Sequence, residues 1–327
     1  MTDRAILFLQ LGGPETLADV PQFLYRLFSD PEVIRVRSAL LRKGIAGAIT
    51  LSRKNASRRL YASIGGGSPI RRLTDEQAHG VQRLLREAGK DVVVRSAMTC
   101  SSPLVEDVVR ELASSGIRRF LVFPLYPQYS LTTTKGALDR SRAAIARFAP
   151  GALLSATASW PVHPLFVEAH AESIREEIAR FRDPRPEAVH LLYSAHSIPK
   201  KLVTREGDPY PVEVAASVAA INATLGGVSP WTLAYQSKLG PVEWLGPATL
   251  QVLRELGRGG EKQVLAIPIA FVTDHVETLY EMDQLFAGEA RQAGIGEFRR
   301  TPGLNDRPTF LRALRDIALS YDAFWAE

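Results

Sequence analysis

The chain has 327 residues, of which 46% are hydrophobic, and its formal net charge is +5 at pH 7. This length favours two domains or two fused halves, each with its own core. The single cysteine, Cys100, excludes an internal disulfide framework, a thiolate zinc site and an iron–sulfur cluster held by the chain itself.

Two further classes of protein are disfavoured by the pattern of charge and hydropathy. Lysine and arginine lie in many short clusters rather than one dense tract, so we expect no nucleic-acid partner. An anionic small molecule or a membrane surface fits this charge equally well. We see no signal sequence and no apolar run near the ~18 residues that span a bilayer, so we expect a cytoplasmic protein, with peripheral membrane contact left open.

Short apolar runs alternate with longer amphipathic segments along the chain. The predicted strands are Ala5–Leu11, Val92–Met98, Phe120–Leu125, Leu153–Thr157, Val189–Ser194, Thr232–Gln236 and Val264–Phe271. The predicted helices are Thr74–Glu87, Pro103–Ser114, Leu165–Phe181, Pro211–Leu225, Pro247–Leu256, Val276–Gln292 and Pro308–Ala326. Such alternation is typical of parallel sheets covered by helices.

The predicted fold class is therefore α/β, with two similar Rossmann-like halves, each a parallel sheet flanked by helices. We place the halves at residues 1–160 and 161–327, and leave open whether the last helix packs back on the first half. The segment at about 34–54 mixes apolar residues with cations. It is either an amphipathic surface helix with a glycine break or a basic, apolar lip that touches a membrane or covers a flat ligand.

The candidate catalytic and metal-binding residues lie directly after two predicted strands, at the strand ends where open α/β sheets bind ligands. His196 follows the strand Val189–Ser194. A hydrogen-bonded core histidine is the ordinary alternative, but a neutral imidazole at a strand end is suited to act as a general base.

The second strand end carries carboxylates. If the chain is helical from Val276, Glu277 and Glu281 share one face, and Asp274 lies three residues before Glu277. A solvated helix face would explain one such pair. Because the cluster follows a buried strand and includes His275, we instead expect a divalent cation that is held loosely enough to be passed on.

Several long motifs of the chain, which occur in the same order as in the family, resemble those of the ferrochelatases. Members of this family insert ferrous iron into a porphyrin. The resemblance runs from Gly12-Gly-Pro-Glu-Thr to the last predicted helix. Its strongest parts are Ser194-Ala-His-Ser-Ile-Pro with Gly207-Asp-Pro-Tyr, and Phe271-Val-Thr-Asp-His-Val-Glu-Thr-Leu-Tyr-Glu. Supporting segments are Tyr61-Ala-Ser-Ile-Gly-Gly-Gly-Ser-Pro, Tyr126-Pro-Gln-Tyr-Ser and Gln236-Ser-Lys-Leu-Gly-Pro-Val-Glu-Trp-Leu-Gly-Pro.

The resemblance implies a chelatase-like fold with its active-site cleft between the halves, and a role for each matching residue. His196 and Glu277 match the catalytic histidine and the essential acidic residue. As transient ligands of Fe²⁺ it implies His196, Glu277, His275 and Asp274, with Glu281 on the path of protons or metal. As porphyrin-binding positions it implies Leu11, Arg53, Tyr61, Ser68, Tyr126, Trp244 and Phe271, although core packing would also explain Leu11 and the aromatic residues.

The resemblance further implies that the enzyme needs no permanently bound cofactor, because Fe²⁺ is a substrate. No [2Fe–2S] cluster is expected, since no cysteine follows Cys100 and the cluster-linked position is Leu131. Without the extension that carries that cluster, we expect a monomer. This chain also has Thr99 where many relatives have Arg or Lys after the second strand, so a cationic contact is missing or supplied elsewhere.

The resemblance favours protoporphyrin IX as the substrate, because the long apolar lip and the Tyr126 loop look more like the branch of the family that uses it. The alternatives are coproporphyrin III, which the family branch of many Gram-positive bacteria metalates, and cobalt or nickel chelation of a tetrapyrrole. A non-catalytic porphyrin or haem carrier and a membrane adaptor are alternatives of other classes. The carrier is disfavoured by the intact His196 and Glu277, and the adaptor leaves both strand ends unexplained.

Overall fold

The computed structural model describes residues 2–238 and 242–326. The chain divides into two compact units. The first comprises Met1–Tyr126, Ser130–Ala158 and Leu314–Glu327, and the second comprises Pro127–Tyr129 and Ser159–Ala313. Each unit contains one four-stranded sheet in which all the described pairings are parallel.

The two sheets have the same topology. The strands are β1 (Arg4–Gln10), β2 (Val93–Met98), β3 (Arg119–Pro124), β4 (Leu153–Ala156), β5 (His190–His196), β6 (Trp231–Gln236), β7 (Gln263–Pro268) and β8 (Glu297–Arg300). The first sheet has the order β2-β1-β3-β4 and the second the order β6-β5-β7-β8. These two sheets, flanked by helices, confirm the predicted fold class.

Helices occupy most of the chain between the strands. They are α1 (Val20–Ser29), α2 (Ala39–Ser63), α3 (Ile70–Glu87), α4 (Val105–Ser114), α5 (Gly136–Phe148), α6 (Pro164–Ile178), α7 (Lys200–Glu206), α8 (Tyr210–Thr224), α9 (Thr249–Arg258), α10 (Ala287–Gln292), α11 (Pro308–Leu319) and α12 (Asp322–Trp325). Two π-helical segments, Leu131–Lys135 and Glu277–Phe286, and a 3₁₀ turn, Pro186–Ala188, complete the set. None of the described helices is long and apolar enough to cross a membrane.

The central strands β1 and β7 are apolar between their end residues because both of their faces are covered. In β1, residues Ala5 to Leu9 are fully buried, and in β7 residues Val264 to Ile267 are equally inaccessible. Strands covered on both faces lose the alternation of polar and apolar residues. The edge strand β8 is different, since all four of its residues are half-buried.

The structure corrects three expectations about individual elements. The lip segment does not break at its glycines, because α2 continues through Gly44 and Gly47, where an added Cβ would meet nothing within 4 Å. The predicted helix Val276–Gln292 is π-helical over Glu277–Phe286 before α10 begins. The helices α1, α5 and α7 and the strand β8 were not predicted at all.

The last residues of the chain pack within the first unit. α12 lies against β3 and β4. The Arg4 guanidinium of β1 donates hydrogen bonds to the carbonyl oxygens of Phe324 and Trp325, each at 3.3 Å. The C-terminal segment thereby extends the first unit, although it follows the second in sequence.

Candidate active site

The connections of the second sheet define where a ligand can bind. β5 is followed by β6 on one side, and the chain then crosses to β7 on the other side of β5. Such a reversal opens a crevice at the carboxyl ends of the two central strands. His196 is the last residue of β5, and the loop that follows β7 leads directly into the π-helix starting at Glu277.

At this crevice His196 and Glu277 form a close pair. The imidazole Nδ1 lies 2.9 Å from Oε2 of the carboxylate. Because an ionised carboxylate only accepts hydrogen bonds, Nδ1 carries the proton and the neutral ring keeps its lone pair on Nε2. The His196 side chain is 37% exposed. The pair therefore presents an oriented base to the crevice.

The pair also shifts the pKa values of both partners. Burial alone would raise the pKa of Glu277, but the charge of His196 and its hydrogen bond lower that pKa to about 2. Burial likewise opposes protonation of His196, yet the charge and hydrogen bond of Glu277 raise the pKa of the imidazole above its usual value. Both shifts express one attraction, which favours the imidazolium–carboxylate form.

His275 and Phe271 lie beside this pair. The Nδ1 of His275 donates to the Thr273 carbonyl oxygen at 3.0 Å, which leaves Nε2 as the lone-pair nitrogen, 3.9 Å from Oε2 of Glu277. Burial lowers the pKa of His275, so this imidazole stays neutral. The Phe271 ring lies edge-on to both histidines, with ring centroids 4.7 Å from His275 and 6.3 Å from His196.

Glu281 is linked to the same cluster by a second set of contacts. Its Oε2 accepts hydrogen bonds from Ser237 Oγ at 2.6 Å and from Gln236 Nε2 at 3.0 Å. Burial and the negative charge of Glu277 raise the pKa of Glu281 to about 7, against the opposing effect of these donors. A carboxyl group with this pKa can take up or release a proton near neutral pH.

Asp274, which directly precedes His275, is held by a separate set of hydrogen bonds. Its Oδ1 accepts from the Arg300 guanidinium at 2.8 Å, and its Oδ2 accepts from Asn305 Nδ2 at 2.9 Å and from the Gly303 amide at 3.2 Å. Burial would raise the pKa of Asp274, but the charge of Arg300 and these donors lower it. Both oxygens are thus engaged within the protein, and the role of Asp274 as a transient ligand of Fe²⁺ stays a prediction.

Within residues 2–238 and 242–326, no three His, Cys, Asp or Glu side chains are arranged to hold a metal ion. The structure does bring Nδ1 of His196 and Nε2 of His275 to 2.9 and 3.9 Å from Oε2 of Glu277. Trp244, also predicted to contact the porphyrin, is half-buried and pairs with Pro199 in an isolated β-bridge.

The other predicted porphyrin-binding residues belong to the first unit. Leu11 is 36% exposed and Arg53 is exposed on α2, so both are accessible to a ligand. Tyr61 is buried and packs edge-on against Phe23. Ser68 is buried against the Pro14 carbonyl, to which its amide donates at 2.7 Å. Tyr126 is half-buried against the hydrophobic core of its unit.

The end of β2 at Thr99 is contacted by an arginine from another part of the first unit. Arg140 of α5 donates to the Thr99 carbonyl oxygen and is held by both oxygens of Glu106, at 2.8 and 3.0 Å. Arg140 therefore brings a guanidinium group to the end of β2, where the chain carries a threonine side chain.

Several contacts of the site have no clear signal in the sequence. Ser237 adopts the left-handed backbone region at φ 64° and uses its hydroxyl on Glu281. Arg300 and Asn305 act on Asp274 from more than 25 positions along the chain. Gln236 and Ser237 do lie in a motif that marks the end of a predicted strand, which is the signal that could have identified them.

The fold is that of known chelatases. A structure of CbiX, the terminal enzyme for biosynthesis of sirohaem in denitrifying bacteria, superimposes with a TM-score of 0.53 and covers 97% of this chain and 98% of that one. SirB from Bacillus subtilis with Fe³⁺ gives a TM-score of 0.54 and covers 98% of both chains. Each is only 14% identical to this chain, so the likeness concerns the fold. The fold is therefore a two-sheet α/β fold of the chelatase type.

Sequence similarity is more specific. The profile of the ferrochelatase family matches residues 3–321. A ferrochelatase from Synechococcus sp. (strain JA-3-3Ab) is 47% identical over 320 residues, covering 96% of this chain and 92% of the relative. A ferrochelatase from Nostoc sp. is 40% identical over 317 residues, covering 96% and 81%. The chain belongs to the ferrochelatase family, and it is a metal chelatase that acts on a porphyrin.

Proposed function

We propose that this protein inserts Fe²⁺ into protoporphyrin IX to give protohaem, with release of two protons. The observation that carries the proposal is the His196–Glu277 pair, which combines an oriented base with a carboxylate at the crevice of the second sheet. Metalation replaces two pyrrole N–H protons by one dication, so the reaction needs a proton acceptor and ligands for a cation. The site contains both.

We assign the base to His196. Its Nε2 lone pair accepts a pyrrole proton, and the imidazolium that forms is stabilised by the Glu277 carboxylate 2.9 Å from Nδ1. The Nε2 of His275 and the carboxylate of Glu277 are the donors that we propose to guide Fe²⁺ toward the porphyrin nitrogens. Glu281, with its pKa of about 7, is suited to receive protons from the pair. Both substrates leave as product, so we propose no resident metal and, with one cysteine in the chain, no iron–sulfur cluster.

Protoporphyrin IX is supported over coproporphyrin III by the apolar surface of α2. Leu40, Leu41 and Leu51 are 83%, 57% and 67% exposed. A lip of this kind suits the vinyl-bearing edge of a substrate with two propionates better than a substrate with four. We further propose that Arg53 and Ser68 bind propionates and that Leu11, Tyr61, Tyr126, Trp244 and Phe271 line the porphyrin site.

An anaerobic assay with Fe²⁺ and each porphyrin in turn tests the substrate. We expect kcat/KM for protoporphyrin IX to exceed that for coproporphyrin III by at least about tenfold, which corresponds to about 1.4 kcal/mol of discrimination. Preference for coproporphyrin III would reassign the substrate. Tight binding of both porphyrins without turnover would instead indicate a carrier.

The same leucines support a peripheral contact with membranes. Lys43 and Arg53 are exposed on the same helix, and interfacial helices combine apolar side chains with cations. We expect the protein to sediment with vesicles that contain anionic phospholipid, and the triple replacement of Leu40, Leu41 and Leu51 by Asp to lower the bound fraction several-fold. Val212→Asp is the control, since Val212 is 72% exposed on α8. An equal loss in both variants would argue against the lip.

A further inference from the structure

Arg300, the last residue of β8, is the centre of a partly buried ionic network. Its Nε and one terminal nitrogen donate to both oxygens of Asp283, at 2.7 and 2.9 Å. The other terminal nitrogen donates to Asp274 at 2.8 Å and to the Thr301 carbonyl oxygen at 3.0 Å. The Arg300 side chain is only 9% exposed. A planar guanidinium can bridge two carboxylates in this way, whereas a lysine ammonium has no such fork.

The two carboxylates lie on either side of the reactive segment. Asp274 immediately precedes His275, and Asp283 lies in the π-helix six positions after Glu277. The stretch between them carries His275, Glu277 and Glu281. One guanidinium therefore holds both ends of the segment on which the proposed chemistry depends.

A turn that follows β8 secures the first of these ends. Asn305 exchanges two hydrogen bonds with Asp274, accepting from its amide at 3.0 Å and donating to its carboxylate at 2.9 Å. The backbone N–H of Asn305 also donates to the Val272 carbonyl oxygen at 2.9 Å. At Gly303 an added Cβ would lie 2.9 Å from the Asp274 nitrogen, so the turn lies too close to the loop for a larger residue.

We infer that Arg300 is a positioning residue for metal insertion: acting through Asp274 and Asp283, it holds Glu277 at hydrogen-bonding distance from His196. The inference rests on the proposed function. Arg300 would preserve the 2.9 Å hydrogen bond between His196 and Glu277, and such bonds weaken steeply when distance or angle changes. A displacement of 1 Å can reduce a rate about 10²-fold.

A matched control is available on a neighbouring helix. Arg254 of α9 forms a similar two-pronged ion pair with Glu289 of α10, at 2.6 and 3.2 Å, but its side chain is 52% exposed. Neither partner contacts Asp274, His196 or Glu277 among the described hydrogen bonds. Arg254→Met therefore removes a two-pronged arginine–carboxylate pair while it leaves Arg300, Asp274 and Asp283 in place.

The experiment compares Arg300→Met, Arg300→Lys, Asp283→Ala and Arg254→Met in the full chain. We expect Arg300→Met to lower kcat at least about tenfold with the KM for porphyrin changed less than about twofold, because ordering of the reactive segment is lost rather than substrate binding. Arg300→Lys keeps the positive charge but cannot bond to Asp274 and Asp283 together. Its kcat should therefore lie between that of Arg300→Met and that of the wild type. Asp283→Ala should lower kcat about threefold, and Arg254→Met should leave it unchanged.

A spectroscopic readout separates positioning from catalysis. With ring-¹⁵N-labelled histidine, the Nδ1–H proton of His196 should resonate far downfield in the wild type and lose intensity in Arg300→Met and Asp283→Ala. Because Asp283 is 41% exposed, its variant is expected to fold even where Arg300→Met does not. Wild-type kcat and an unchanged His196 signal in Asp283→Ala and in whichever Arg300 variant folds would overturn the inference. A wild type without turnover would refute the proposed function, while the His196 signal would still test whether Arg300 positions Glu277.

Discussion

Replacing His196 by alanine should reduce kcat for Fe²⁺ insertion by about 10²–10⁴-fold while porphyrin binding remains measurable. The variant removes the Nε2 lone pair that we propose to take pyrrole protons, and proton transfer by a positioned side chain contributes rate factors of this size. Anaerobic turnover gives kcat, and quenching of porphyrin fluorescence gives the dissociation constant.

The control for this variant is His79→Ala, since His79 is exposed on α3 in the first unit. Its kcat should equal that of the wild type. Near-normal turnover by His196→Ala would remove the histidine from the mechanism. Loss of porphyrin binding together with turnover would show that the imidazole holds the substrate rather than accepting its protons.

Replacing Glu277 by glutamine should lower the plateau of kcat/KM by about 10²-fold or more and move its acidic limb to lower pH. The amide preserves the shape of the side chain and an acceptor for Nδ1–H, but removes the negative charge that raises the pKa of His196. Only neutral His196 can accept a proton, so activity falls as pH drops through the pKa of the imidazole. A lower pKa in the variant therefore extends the plateau toward acid, while the weaker base lowers its height.

The dependence of kcat/KM on pH, measured between about pH 5 and 9, decides between two roles of Glu277. If this carboxylate only guides the metal, the acidic limb stays in place and the KM for Fe²⁺ rises. Glu281→Gln provides a comparison, because it removes the neighbouring carboxylate but leaves the hydrogen bond between His196 and Glu277 intact. An unchanged limb and an unchanged plateau in Glu277→Gln would remove this carboxylate from both roles.

The elements that could be predicted from sequence are those whose composition follows from burial. Runs such as Val264–Phe271 are continuously apolar because the strand is covered on both faces, which is visible without any knowledge of its neighbours. The strand-end rule then selects His196 and the acidic cluster that contains Glu277. Nδ1 of His196 and Oε2 of Glu277 lie 2.9 Å apart.

The elements that escaped prediction depend on contacts made elsewhere in the chain. β8 is short and half-buried, so its sequence lacks the apolar run of a central strand, and pairing with β7 alone makes it a strand. The π-helical geometry of Glu277–Phe286 has no counterpart in residue spacing. The hydrogen bonds that Arg300 and Asn305 donate to Asp274 join residues 26 and 31 positions apart, and residue spacing does not record them.

By itself, the sequence determined the two-sheet α/β fold, because strand burial leaves its mark on local composition. Strand-end position indicated His196 and the acidic cluster of Asp274, Glu277 and Glu281. The choice of Glu277 within that cluster came from the resemblance to ferrochelatases, which rests on long motifs. Only the tertiary structure decided that the side chains of His196 and Glu277 share a hydrogen bond, that Ser237 donates a hydrogen bond to Glu281, and that Arg300 forms an ion pair with Asp274. Those outcomes depend on distances between residues far apart in the chain, and neither composition nor periodicity records such distances.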